Sequence, residues 1–218
     1  MARVWAVVVA GGSGQRFGQL KQFALLGGRP VVEWAVAACR PSSNGVVLVL
    51  PRDARDTGDH GADIVVEGGA TRAQSVRCGL AAVPDDAEVI IVHDAARPLA
   101  SDALFRAVVA AVASGGADGA IPGLPVSDTI KVVDGEVVDG AQTVTATLDR
   151  SVLVAVQTPQ AFTADLLRQA HAGGAEATDD AALLEALGAT VRVVPGDPRN
   201  LKITTAADLG TAERLVGG

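Results

Sequence analysis

Residues 7–18 read VVVAGGSGQRFG: a run of valines breaks into small residues, and the next charged side chains are Arg16 and Lys21. Glycines let a backbone come close to a ligand and turn successive N–H groups toward an anion. Arg16 adds a planar fork for phosphate oxygens and Lys21 a compact point charge. This is the chemistry of a phosphate-holding loop, with Ala10, Gly11, Gly12 and Gly14 supplying the backbone. An ordinary tight turn flanked by solvated cations is the structural alternative. Two familiar phosphate loops are excluded. A dinucleotide fingerprint needs a third small residue where Phe17 stands, and an acid after the second strand, where Pro51 and Arg52 stand. A P-loop needs Gly-Lys-Ser/Thr, which does not occur.

A second stretch, Glu67–Ser75, reads EGGATRAQS. Thr71 and Gln74 fit a capping box. The glycine pair and Ser75 are not explained by capping, and free N–H groups with a hydroxyl at a helix start suit the polar edge of a base. A third stretch, His93–Pro98, follows the apolar run VIIV. Asp94 at the carboxyl end of a central strand, across from the phosphate loop, is placed to hold Mg²⁺; a turn or cap role is its alternative. His93 is expected to make a structural hydrogen bond and Arg97 an internal ion pair. Thr158 follows a further strand. Thr178, before two aspartates, reads equally as a helix N-cap. Lys202 is a lone cation that by itself reads as surface. No Ser/His/Asp or Cys/His arrangement supports covalent catalysis. No Asp-x-Asp occurs either, which counts against a metal-dependent glycosyltransferase.

These residues need a scaffold, and the pattern supplies one. Strands are expected at Val4–Val9, Val46–Leu50, Asp63–Glu67, Glu88–His93, Gly119–Pro122, Leu153–Gln157 and Thr190–Val194. Helices are expected at Pro30–Cys39, Arg72–Val83, Asp102–Ala113, Ala164–His171, Asp179–Leu187 and Ala206–Leu215. Alternation with near-continuous apolar strands predicts an α/β fold: a mostly parallel, twisted, Rossmann-like sheet with helices on both faces. Ligands collect at the carboxyl ends of such strands. Residues 128–138, DTIKVVDGEVV, break the pattern with two β-branched arms around Asp134-Gly135, a two-residue hairpin signal, and the extended stretch Thr143–Leu148 follows. An isolated hairpin is barely stable alone, so this one is expected to pack on something: it is either a decorative excursion or, at least as often, an arm, approximately 125–151, that grips a second subunit.

At 218 residues, 49% of them hydrophobic, the chain reads as one domain over residues 1–218 with ample core. A net charge of −7 argues against nucleic acid or an acidic membrane surface as a partner. Cys39 and Cys78 lie in separate elements without a metal-binding pattern and read as free thiols of a cytoplasmic protein. No apolar run reaches bilayer-spanning length, and the first twelve residues run into glycines rather than a cleavage site.

Taken in order, AGGSGQRF, LKQF, GGATRAQSV, VHDAARP, SDTIK, LDR, TPQAF, TDDAALLE and NLKIT span nearly the whole chain. This ordered set resembles the 2-C-methyl-D-erythritol 4-phosphate cytidylyltransferase family of the non-mevalonate isoprenoid pathway. The resemblance implies transfer of CMP from CTP to the sugar-alcohol phosphate, with release of pyrophosphate and a requirement for Mg²⁺. It implies that Arg16, Lys21 and Lys202 are catalytic, and that Ala10, Gly11, Gly12, Gly14, Gly69, Ala70 and Ser75 join Arg16 and Lys21 around CTP. Asp94 would bind the metal. Thr129 and Arg150, on the arm, would reach the partner's site in a homodimer; Thr158, Thr178 and Lys202 would complete the acceptor pocket. Gly11, Phe17, Leu20 and Ala70 depart from the family's usual alanine, methionine, proline and aspartate. Of these, Gly11 and Ala70 are implied around CTP, and a backbone contact at Ala70 survives the change. The length leaves no room for the cyclising domain of fused forms. A cytidylyltransferase for another alditol phosphate, such as ribitol 5-phosphate, is the nearest alternative. A nucleotide-binding regulatory module without catalysis is the more distant one.

Overall fold

The computed structural model describes residues 2–11, 21–137 and 139–217, with only the backbone of Lys21. Strand β1 (Val4–Val9) is followed by a short hairpin, β2 (Leu25–Leu26) and β3 (Arg29–Pro30), and helix α1 (Val31–Cys39). Next come β4 (Gly45–Leu50), β5 (Ile64–Glu67), α2 (Arg72–Leu80), β6 (Val89–Asp94), α3 (Asp102–Ala113) and β7 (Gly119–Pro125). Strands β8 (Lys131–Val133) and β9 (Val144–Thr147) precede β10 (Val154–Val156), β11 (Gln160–Thr163), α4 (Ala164–Ala172), α5 (Asp180–Glu185), β12 (Val191–Pro195) and α6 (Ala206–Val216).

The central strand β1 pairs in parallel with β4 on one side and β6 on the other, and β5 continues in parallel beyond β4. Beyond β6 lies β11, antiparallel, then β7, whose other edge takes β12 in parallel. The pairs Ala120–Ala161 and Gly123–Val156 make β10 and β11 successive pieces of one antiparallel partner of β7. Between them lies a break at Gln157–Pro159, where the Thr158–Pro159 peptide is cis. The sheet is therefore mixed, mostly parallel, with one inserted antiparallel strand that the sequence pattern did not announce. Gln160–Thr163 is too short to show alternation and opens on Thr-Pro, a turn signal. Burial between β6 and β7 makes it a strand, and Ala161 and Phe162 are wholly inaccessible.

Alternation along the strands explains the two covered faces. Ala6, Val8, Leu48 and Ile91 point into a cluster with Val32, Val36, Phe105 and Val108 of α1 and α3. Their neighbours Val7, Val47, Val49, Ile90 and Val92 pack with Val76, Leu167 and Leu184 of α2, α4 and α5. Helix α2 comes close enough that a Cβ on Gly79 would stand 2.4 Å from Val7 Cγ1. A smaller cluster of Leu26, Val31, Ile203 and Ala212 seats α6 against the β2–β3 hairpin. Cys39 and Cys78 are free, and burial pushes the Cys39 thiol far above its ordinary range. Among the described residues no helix is long and apolar enough to cross a membrane.

The arm differs from the simplest expectation. Lys131–Val133 does not pair with the residues directly after Asp134-Gly135; its partner is Val144–Thr147, within the extended stretch that follows. The Asp134 carboxylate accepts from the N–H groups of Glu136 and Thr143, so the Asp-Gly pair begins a longer loop instead of closing a tight turn. The two strands form a sheet of their own, apart from the main one, and all their side chains are exposed.

Candidate active site

The carboxyl ends of β1 and β6 and the start of α2 surround a cleft of about 400 Å³, as strand direction in an open parallel sheet requires. Val9, Ala10, Gly11 and Gln22 form one wall, Ala70–Arg72 and Ser75 another, Asp94–Ala96 the floor, with Lys202 and Thr204 across from them. The structure thus brings together six residues expected from the sequence: Ala10, Gly11, Ala70, Ser75, Asp94 and Lys202. Gly69 adjoins Ala70. Gly12, Gly14 and Arg16 lie outside the described residues, as does the side chain of Lys21.

Asp94 is the centre of charge. Arg72 Nε stands 3.2 Å from Oδ1 and Lys202 Nζ 2.7 Å from Oδ2. Burial works against the carboxylate's charge, but Arg72 and then Lys202 outweigh it and hold its pKa well below the ordinary carboxylate range. Asp94 is therefore an anion at any working pH. Burial likewise opposes the charge on Arg72, and Asp180 and Asp94 overcome it, so its pKa is raised. Arg72 reaches both acids at once, with Nη2 2.9 Å from Asp180 Oδ2.

Thr158 supports this centre from behind. Its Oγ1 accepts from the Asp94 N–H at 3.0 Å and lies 3.2 Å from His93 Nδ1, while His93 Nε2 lies 3.1 Å from the Arg97 carbonyl. A carbonyl only accepts, so Nε2 carries the proton and Nδ1 takes the threonine hydroxyl. Burial pushes the His93 pKa down to about 4, which keeps it neutral. His93 is structural, as expected. The hydroxyl of Thr158 is spent on the backbone under Asp94, which makes it a support for that residue rather than a wall of the cleft. Arg97 makes no ion pair among the described residues; it donates to the carbonyls of Asn200 and Val156. Together with the Ile203 N–H on the Ala96 carbonyl at 2.8 Å, this fastens Asn200–Thr204 and delivers Lys202 to the cleft. Wholly buried Asn200 completes the tie through the Thr158 carbonyl, 2.8 Å away.

At the start of α2 the capping expectation is half met. Thr71 Oγ1 accepts from the Gln74 N–H at 3.1 Å, but Gln74 Oε1 takes the Ala70 N–H at 2.8 Å rather than that of Thr71. Buried Ser75 donates to the Thr71 carbonyl at 2.9 Å and sits where a Cβ on Gly11 or Gly68 would press it, at 2.7 and 2.8 Å. Those two glycines are needed because the serine fills the space between their loops. Thr178 is exposed and does not cap α5; Asp179 does, accepting from the Ala182 N–H. Thr129 and Arg150 are exposed and do not line this cleft; Arg150 Nη1 donates to the Ser127 carbonyl. The sequence reading missed Gln22, Arg72 and Asp180. Nothing in a helical pattern marks an arginine as held between two acids. Gln22 had only the motif LKQF to signal it, yet it is 3% exposed with an Nε2 that has no partner among the described residues.

A mostly parallel sheet with a cation-flanked carboxylate at its carboxyl edge, beside a helix start, is the arrangement of a nucleotidyltransferase. Residues 4–217 match the family described as IspD, 2-C-methyl-D-erythritol 4-phosphate cytidylyltransferase, and the chain belongs to that family. The enzyme of that name from Rhodococcus opacus is 47% identical over 98% of this chain and 95% of its own. The crystal structure of the one from Thermus thermophilus superposes with a TM-score of 0.81 at 38% identity, covering both chains fully. The bifunctional enzyme IspD/IspF of Nitratidesulfovibrio vulgaris is 45% identical over 95% of this chain, which spans only 56% of that relative's length.

Proposed function

We propose that this chain transfers CMP from CTP to 2-C-methyl-D-erythritol 4-phosphate, giving 4-diphosphocytidyl-2-C-methyl-D-erythritol and pyrophosphate. The observation that carries the reading is Asp94, ionised in the cleft between Arg72 and Lys202, beside the α2 start and the end of β1. In the reaction a phosphate oxygen of the acceptor forms a bond to the α-phosphorus of CTP. The bond from that phosphorus to the oxygen bridging it to the β-phosphorus breaks, and pyrophosphate leaves. The nucleophile is already an anion, so no strong general base is called for; alignment and charge neutralisation carry the rate.

The donor set fits Mg²⁺. This ion takes one or two carboxylates and completes its shell with water and substrate phosphates. Asp94 is one ionised carboxylate on an open cleft, and the Lys202 side chain on its Oδ2 is 42% exposed. Bound there, Mg²⁺ would neutralise triphosphate charge. Lys202, on the same cleft, would meet the same charge. In this reading Arg16 and Lys21, which follow the glycines in sequence, would add cations, and the α2 start with Ser75 would shape the base pocket.

The arm is read as the dimer contact that carries Thr129 and Arg150 to a partner's acceptor site. Val132, Val133, Val144, Val152 and Val154 are all exposed on or beside it, and Val152 reaches 79%. Apolar surface of that extent is what a subunit contact covers. A coupled pyrophosphate-release assay with CTP and Mg²⁺ tests the reading. Turnover with methylerythritol phosphate well above that with ribitol 5-phosphate is expected. The reverse order would reassign the acceptor, and CTP binding without pyrophosphate from either acceptor would favour a regulatory module.

A further inference from the structure

Two cations touch Asp94, and the structure holds them to very different degrees. Lys202 has one partner among the described residues, Asp94 Oδ2, and a half-exposed stem. Arg72 is held at both ends of its guanidinium: Nε on Asp94 Oδ1 and Nη2 on Asp180 Oδ2. Asp180 is 1% exposed and belongs to α5, on the far side of the arginine from the cleft. Its other oxygen, Oδ1, lies 3.0 Å from Nε2 of His171, which is 3% exposed. The row runs from cleft to interior: Asp94, Arg72, Asp180, His171. Moving Arg72 to a ligand would leave Asp180 in the interior without its counter-charge, a heavily penalised state.

We propose that Arg72 is a positioning residue for Asp94, braced from behind by Asp180, and not a cation that binds substrate phosphate. It fixes the direction in which the Asp94 carboxylate faces, so that Oδ2, the oxygen covered by the half-exposed Lys202, is the one offered to the metal–nucleotide complex. The inference rests on the reading of Asp94 as the group that meets the metal. Partners of a ligating carboxylate commonly change metal affinity by 10- to 100-fold when removed. The same change in CTP affinity without metal would instead mark a direct phosphate contact.

The test is calorimetric titration of the full chain with CTP, with and without Mn²⁺, for wild type, Arg72→Lys and Asp180→Asn, alongside the acceptor KM. Lysine keeps the charge but cannot span two carboxylates. Both variants are expected to weaken Mn²⁺–CTP binding by roughly tenfold, with metal-free CTP affinity and acceptor KM within about twofold of wild type. If Asp180→Asn does not give a native melting transition, Arg72→Lys decides alone. Equal losses with and without Mn²⁺ would overturn the proposal, and so would variants indistinguishable from wild type. A wild-type chain that binds no Mn²⁺–CTP would sink the functional reading, and this one with it. A wild type that binds and turns over beside unaffected variants would sink only this one.

Discussion

Lys202 and Arg72 share a carboxylate, yet a substitution at each should be read differently. Lys202→Ala removes the half-exposed cation on Asp94 Oδ2, which the proposed reaction sets against developing charge. It should lower kcat by about 100-fold or more, the scale of losing one preorganised electrostatic group, and leave the melting temperature nearly unchanged because the side chain is half-exposed. Pyrophosphate release and a thermal melt on the same sample check this. His93 gives a prediction in pH. Burial lowers its folded pKa from 6.5 to about 4, so between those values the unfolded chain takes up a proton that the folded chain refuses. The stability that His93 contributes is complete above pH 6.5 and is lost as pH falls toward 4. The loss is on the order of 3 kcal/mol by linkage. Urea titrations across that range should show the decline, and His93→Asn should flatten it.

Among the elements, those with a strong local signal stand where the residues said they would. Strand β1 runs over Val4–Val9 as expected, and α3 begins at Asp102 because Ser101 caps it, its Oγ accepting from the Leu104 N–H. Strand β11 and the pairing of the arm were not legible, since both depend on what lies opposite rather than on period. The site divides in the same way. Asp94, Ser75 and Gly11 follow strands or open a helix, and that position marked them. Arg72, Asp180 and the supporting role of Thr158 are properties of contact between elements far apart in sequence. The close seat of α2 is similar: Gly79→Val should overpack it against Val7 and Val49. The expected cost is about 1–3 kcal/mol, visible as a lower denaturant midpoint with an unchanged slope.

For the whole molecule, the cleft in one chain contains Arg72, Lys202 and the start of α2, while Thr129 and Arg150 stand exposed on the arm side. If they serve a partner's site, Arg150→Ala should raise the acceptor KM by roughly tenfold, the loss of one exposed charge-assisted contact. CTP affinity and sedimentation as a dimer should stay unchanged, and a parallel fall in CTP affinity would argue that both ligands share one chain's residues. The ties around Asp94 also reach far along the chain. Its backbone N–H waits for Thr158, 64 residues on, and its carboxylate for Lys202, 108 residues on. The β1–β4–β6 layer lies wholly within residues 4–94, whereas these ties draw on residues 158 and 202. A chain cut short before residue 158 would keep the Asp94 carboxylate but lack both the hydroxyl under its N–H and the cation on its Oδ2.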